Sequence, residues 1–141
     1  MIVQILYRLA GQPEVTGEMK FQDVTQGKWY YDAVLWATQN GIANGKNATL
    51  FDPTGYVTRE QISAFLYRYS QSADFFDPNV LNAFPDASSV SSYAKQSMCW
   101  AVDAGILTGK GHNGVSYLDP KANANRDEVA TMVYRFIDLN S

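Results

Sequence analysis

Cysteine and histidine are nearly missing from this 141-residue chain, which has one of each, Cys99 and His112. A lone cysteine makes no intrachain disulfide and no thiolate metal site. Cys99 stands in the apolar run Met98-Cys-Trp-Ala-Val102 and reads as a core thiol. With one histidine, neither a zinc cluster nor a histidine-based triad can be assembled. Basic charge is also scarce: 11 Lys and Arg face 14 Asp and Glu, for a net charge of −3. The bases are scattered, which argues against the basic stripe of a nucleic-acid binder. No apolar run approaches the roughly 18 residues of a membrane-spanning helix, and the N-terminus lacks the basic and apolar regions of a signal peptide. Two loops are rich in Asp, Asn and Gly, at residues 44–55 and 109–120, but neither has the acid, glycine and glutamate spacing of an EF-hand. No metal and no cofactor is expected.

Aromatic residues are plentiful instead, with nine Tyr, seven Phe and three Trp, and some of those rings are expected to face a ligand. The chain also repeats. Thr58–Tyr69, TREQISAFLYRY, returns as Asn125–Ile137, NRDEVATMVYRFI, and without its front as Met1–Leu9, MIVQILYRL. Aligning Arg8, Arg68 and Arg135 superposes apolar residues at i, i+3 and i+4 each time, the signature of an amphipathic helix. A repeat array is therefore the first reading. Met1 falls just inside a repeat, as in a chain cut from a longer one.

Residues 2–9 form the first expected helix, with the stripe Ile2, Ile5, Leu6 and Leu9, stopped by Gly11 and Pro13. A polar connector over 12–20 leads to Phe21-Gln-Asp-Val24 and a helix from about Trp29 to Asn40, facing inward through Ala33, Val34, Trp36 and Ala37. Gly41 stops it, with Ile42 as the apolar contact after a glycine-terminated end. The loop that follows, with Gly45 and the Asp52-Pro-Thr-Gly55 turn, is expected to hold one or two residues of β pairing. Helix resumes at Thr58. A linker over 70–83 carries Phe75, Phe76, Val80 and Leu81 and is expected to pack on the body. The cycle then recurs: Phe84-Pro-Asp-Ala87, Tyr93-Ala94, Trp100 through Gly109, and Leu118-Asp-Pro120, with three extra residues in the loop around His112.

Both cycles resemble S-layer homology repeats. The ordered set FQDV, WY, WATQNGIANG, FDPTGYVTREQ, then FPDA, YA, WAVDAGILTG, LDPKANANRDE, carries the resemblance. It implies an all-α fold of tandem helix-loop-helix repeats around a central three-helix bundle, a pseudo-threefold unit whose first prong is missing here. The expected organisation is one domain over 1–141: the terminal helix of a truncated repeat at 1–12 and complete repeats at 21–70 and 84–138. The implied function is extracellular, non-covalent anchoring to the cell envelope. The implied partner is a secondary cell-wall polysaccharide bearing ketal-linked pyruvate, or peptidoglycan. The alternative is a structural or assembly module for protein contacts at the cell surface, either monomeric or completing its missing prong by dimerising. No catalytic activity, nucleic-acid partner or membrane insertion is expected.

Thr58 with Gln61, and Asn125 with Glu128, have the spacing of capping boxes, and Glu60 and Asp127 suit the helix dipole. Arg59 and Arg126 are unexplained by capping, because a cation is misplaced at a helix N-terminus. A guanidinium fork binds a carboxylate bidentately, so a pyruvate ketal is one apt partner and a salt bridge to Asp23 or Asp86 is the other. Gly41 and Gly105 read as helix stops. Gly45 and Gly109 supply positive φ or admit a sugar ring close to the backbone. Trp29 and Tyr93 are satellites of the core or faces of the groove. Trp36 and Trp100 read as core, and Tyr67 and Tyr134 as bundle packing. Asp23 and Asp86 read as turn or cap residues, and their spacing to Asp52 or Asp119 does not make a glycosidase acid pair. The resemblance gives Arg59 and Arg126 the ligand role and places Trp29 and Tyr93 near the groove, and the full expected glycan-binding set is Arg59, Arg126, Trp29, Tyr93, Asp23, Asp86, Gly45 and Gly109.

Overall fold

A computed structural model describes residues 2–70 and 77–139. Among these the chain is mainly helical, with five α-helices and one two-stranded hairpin. By contacts it divides into two units, Met1–Gly55 and Tyr56–Ser141.

In the first unit, α1 (Ile2–Leu9) packs on α2 (Tyr31–Gln39). The buried side of α1 is Ile2, Val3, Leu6 and Tyr7, so the inward stripe is turned from the expected one and leaves Leu9 exposed. Tyr7 stacks at a tilt on Trp36 with centroids 5.5 Å apart, and its hydroxyl donates to the Pro13 carbonyl at 2.7 Å. All of Ala33 to Ala37 is buried. α2 begins two residues later than its periodicity predicts, because Tyr31 N–H donates to the Lys28 carbonyl in a turn that leaves Trp29 outside the helix. The expected β pairing near Leu50 is also absent among the described residues. The Asn47 side chain accepts from the amides of Thr49 and Leu50 instead, a local bond that competes with a ladder.

The second unit contains α3 (Arg59–Ser70), α4 (Lys95–Asp103), a hairpin of β1 (Lys110–His112) and β2 (Val115–Tyr117), and α5 (Arg126–Leu139). The hairpin occupies the loop that is three residues longer than its counterpart. Three short 3-10 turns precede α4, and the second of them starts at Ala87, the last residue of the FPDA stretch. α3 packs on α4 and α5, with Ile62, Ala64 and Leu66 buried on α3 and Met132, Val133 and Phe136 on α5. Trp100 gathers Tyr67 and Phe136 at 5.4 and 6.1 Å. Tyr134 departs from its expected packing role: it is 70% exposed, whereas Tyr67 is half-buried. Leu81 is buried, as expected of a linker that packs, while Phe75 and Phe76 lie outside the described residues.

Two devices recur in both repeats. Each α2-type helix ends in a glycine-terminated double bond: Gly41 N–H to Thr38 and Ile42 N–H to Ala37, then Gly105 N–H to Val102 and Ile106 N–H to Ala101. The glycines carry φ of +70° and +78°, which a side chain would strain. The second device is a carboxylate clasp. Asp23 accepts the amides of Phe51 and Asp52 at 2.9 and 2.7 Å, and Asp86 accepts those of Leu118 and Asp119, both at 2.9 Å. Each clasp holds an aspartate of left-handed backbone, Asp52 at φ +60° and Asp119 at +48°, directly before a proline. That conformation is costly outside glycine and needs surrounding bonds to fix it. Burial raises the Asp23 carboxyl pKa, but the amides of Phe51, Asp52 and Asp23 itself outweigh it and leave it below its ordinary 3.8.

α3 is fastened at its N-terminus. Both capping boxes form, Thr58 with Gln61 at 2.9 and 3.2 Å and Asn125 with Glu128 at 2.8 and 3.5 Å. The Arg59 and Glu60 amides donate to the Ala122 and Pro120 carbonyls at 3.1 and 2.9 Å, next to a Thr58–Asn123 β-bridge. Arg59 is 4% exposed and finds an acceptor for each of its three nitrogens: Nε to Leu118 O at 2.8 Å, Nη2 to Thr108 O at 2.7 Å, Nη1 to Glu128 Oε2 at 3.0 Å. Its carboxylate partner is thus Glu128, which corrects the expectation of Asp23 or Asp86, since both of those are committed to clasps. Glu60 is buried as well and accepts from the Ser91 amide and hydroxyl at 2.9 and 2.7 Å. Burial alone would raise Glu128, yet Arg59, the Asn125 amide and Lys110 together hold it below its ordinary 4.5.

Removing Arg59 takes one of two cationic partners from Glu128 and the side-chain donor from two carbonyls, so Arg59→Ala is expected to cost about 3 kcal/mol, whereas exposed Arg126→Ala stays within about 0.5 kcal/mol. Chemical-denaturation midpoints measure both. Asp23→Asn replaces one acceptor oxygen by a donor facing an amide, at an expected cost of about 1–3 kcal/mol. Asp23 and Glu128 both have depressed pKa values in the folded state, so their stabilisation is complete above 3.8 and 4.5 and is lost as pH falls below those values. Stability is expected to drop on that acid limb, and less steeply in Asp23→Asn and in Glu128→Gln, which no longer titrate there. An equal acid slope in all three proteins would refute the assignment.

Candidate functional site

The fastening of α3 leaves a groove of about 230 Å³ along the first three turns of α5. Arg59 and the Ile106–Thr108 backbone line it together with Asn125, Asp127, Glu128, Thr131, Met132 and Arg135. The backbone at Ile106–Thr108 is held by the glycine-terminated end of α4, and Arg59 is fixed by its three bonds. One wall is therefore rigid before any ligand arrives.

The two arginines of this groove differ. Arg59 has a protein acceptor for each of its three nitrogens and a carboxylate partner in Glu128. Arg135 has one long hydrogen bond, Nη1 to Ile106 O at 3.4 Å, and no carboxylate partner among the described residues. Its charge is thus the less committed of the two toward an incoming anion. Sequence reasoning used Arg135 only to set the repeat register. Its recurrence as Arg8 and Arg68 was the signal that could have singled it out. Lys110 adds a second cation at the rim, 3.3 Å from Glu128 and one-third exposed.

The remaining candidates fall into three kinds of place. Asp23 and Asp86 spend their oxygens on the clasps. Gly45 and Gly109 are approached by the protein's own rings: a Cβ at Gly45 would run into Phe21, and one at Gly109 would meet Phe84 at 2.9 Å. The close approach foreseen for a sugar is made by the phenylalanine of each FxD stretch. Trp29 and Tyr93, at equivalent positions, are open, 62% and 52% exposed. Trp29 rests edge-on against Tyr30 at 5.2 Å. Burial and then the Glu60 charge push the Tyr93 hydroxyl pKa up. Arg126 is exposed and makes no hydrogen bond or ion pair among the described residues.

Among the described residues no helix is long and apolar enough to cross a membrane. The family model described as the S-layer homology domain matches residues 20–62 and 83–130. The Surface-layer 125 kDa protein of Lysinibacillus sphaericus is 34% identical over 125 residues, 89% of this chain and 10% of that protein. Amylopullulanase of Thermoanaerobacterium thermosulfurigenes is 31% identical over 95% of this chain and 7% of its own. Exoglucanase XynX of Acetivibrio thermocellus is 30% identical over 86% and 11%. The chain thus spans about a tenth of the length of these relatives. Its fold resembles part of an undecaheme cytochrome from the S-layer of Carboxydothermus ferrireducens, with a TM-score of 0.53, 20% identity, and coverage of 96% of this chain and 20% of that one. With the motif-bearing stretch of each repeat matched in order, the chain belongs to the S-layer homology domain family and to the surface of the cell envelope.

Proposed function

We propose that the chain anchors a larger protein to the envelope by binding an anionic cell-wall glycan, a pyruvylated secondary polysaccharide or peptidoglycan, in the groove beside α5. The observation that carries this reading is Arg135: a guanidinium in a preformed groove, lacking a carboxylate partner among the described residues and sharing that groove with a second guanidinium, Arg59. A fork of this kind recognises a planar carboxylate such as a pyruvate ketal. Arg59 orients the wall and adds positive potential without having to move. Trp29 and Tyr93 offer exposed aromatic faces, on which the C–H faces of sugars pack. Arg126 serves an equivalent groove, with Asp23, Asp86, Gly45 and Gly109 acting through the loops they hold. The pseudo-threefold unit with its missing prong belongs to the same reading and rests on the repeat register.

Binding in this reading is local. A chain of net charge −3 gains no long-range steering toward an anionic polymer, and overall strength comes from engaging more than one groove. The chain itself acts as a binding module, without catalysis.

The test is co-sedimentation with purified cell-wall sacculi. Untreated sacculi are expected to pull the protein down, and sacculi stripped of secondary polymer, or with the acid-labile pyruvate ketal hydrolysed, at least about tenfold less. Arg135→Ala is expected to weaken binding by a similar factor while leaving the helical circular dichroism unchanged. Equal binding to stripped and untreated sacculi would eliminate the secondary-polymer ligand, and wild-type binding by Arg135→Ala would remove the assigned contact.

A further inference from the structure

α3 and α5 begin with the same motif, yet the same face of each meets a different fate. On α3, Arg59, Glu60, Ser63 and Ala64 are all between 0% and 4% exposed. The residues in register on α5 are Arg126, Asp127, Ala130 and Thr131, and all four are exposed. The Arg59 and Glu60 amides have the carbonyls of Ala122 and Pro120 as acceptors. The Arg126 and Asp127 amides have none among the described residues.

What covers the α3 face is the following repeat: the carbonyls of Thr108, Leu118, Pro120 and Ala122, and Ser91 against Glu60. The chain carries another version of that covering surface in residues 21–55. By motif order its carbonyls are those of Asn44, Phe51, Pro53 and Gly55, and no described residue donates to any of them. Its loop is shaped by the same clasp, Asp23 on Phe51 and Asp52. One chain therefore bears an uncovered donor face on α5 and an unused acceptor rim on the 21–55 prong, and the fastening of α3 shows how such surfaces fit.

We propose that the α5 face is a docking site for a second copy of this chain, whose 21–55 prong seats on Arg126, Asp127, Ala130 and Thr131 as residues 84–124 seat on α3. Arg126 donates to the Asn44 and Phe51 carbonyls of that copy, and the bare α5 amides to Pro53 and Gly55. The small Ala130 and Thr131 let the prong approach closely. One element of the α3 fastening is lacking: the counterpart of Glu128 in that repeat is the neutral Gln61. The contact between copies is accordingly weaker than the intrachain one and concentration-dependent. Being heterologous, it closes into a ring or extends head to tail. This proposal does not rest on glycan binding.

Sedimentation velocity of the 141-residue chain over a wide concentration range tests it. The weight-average mass is expected to rise with concentration. Arg126→Ala and Thr131→Arg, both at exposed positions and read alongside unchanged circular dichroism, are expected to weaken association at least about tenfold. A photo-cross-linking side chain at position 131, in a mixture of light and heavy isotope-labelled chains, is expected to give mixed-isotope products joined to residues 42–55. A monomer at every concentration would overturn the proposal. So would association indifferent to both substitutions, or mixed-isotope cross-links that fall outside the 21–55 prong.

Discussion

A buried guanidinium organises the second unit. Arg59 has lost almost all of its water, and such a charge is tolerable only where acceptors surround it and a carboxylate is near. Two of its acceptors are backbone carbonyls on opposite sides of the hairpin, Thr108 before it and Leu118 after it, so one side chain fixes both ends of that loop. The third is Glu128, which also accepts from the Asn125 amide and pairs with Lys110. A single carboxylate thus caps α5, neutralises the first residue of α3 and holds the start of β1. These bonds are coupled, and loss of one partner exposes the others to an uncompensated charge.

That arrangement decides what the groove can do. Arg59 and Glu128 cancel locally, leaving Arg135 and Asp127 as the lining charges of opposite sign without a mutual contact. An anion that enters has to lie toward Arg135 and away from Asp127, so the site imposes an orientation as well as a sign. A wall ordered by folding costs the ligand nothing to organise, which is the usual way that a small pocket gains affinity.

Much of the architecture was legible because it is written in local chemistry. The helix stops at Gly41 and Gly105 and both capping boxes depend on residues a few positions apart, and they formed as read. The clasps did not announce themselves. Asp23 and Phe51 are far apart in sequence, and an aspartate after FQ or FP is equally at home in a turn. Arg59 misled for a related reason. A cation at a helix N-terminus is unfavourable judged from its own helix, but its partners lie on a loop and a cap beyond residue 107. Arg135 was overlooked because it sits inside an apolar helical pattern, where its recurrence as Arg8 and Arg68 reads as register and not as a site. The start of α2 moved because the turn at Lys28–Tyr31 consumes two residues that the hydrophobic period assigns to the helix.

The comparison of α3 with α5 also explains how one motif can be buried in one place and open in another without penalty. A covered face must satisfy charge in a dry setting, and α3 does so with the full fork of Arg59 and with Ser91 against Glu60. An uncovered face must avoid presenting large apolar surface, and the α5 version is Arg126, Asp127, Ala130 and Thr131, which water solvates readily. Asp127, one methylene shorter than Glu60, keeps its carboxylate close to its own helix start, where the dipole stabilises it unaided. The fold of α5 therefore does not depend on a partner at this face. Any partner it takes must compete with water for the same donors, and that competition makes contact there reversible where the fastening of α3 is not.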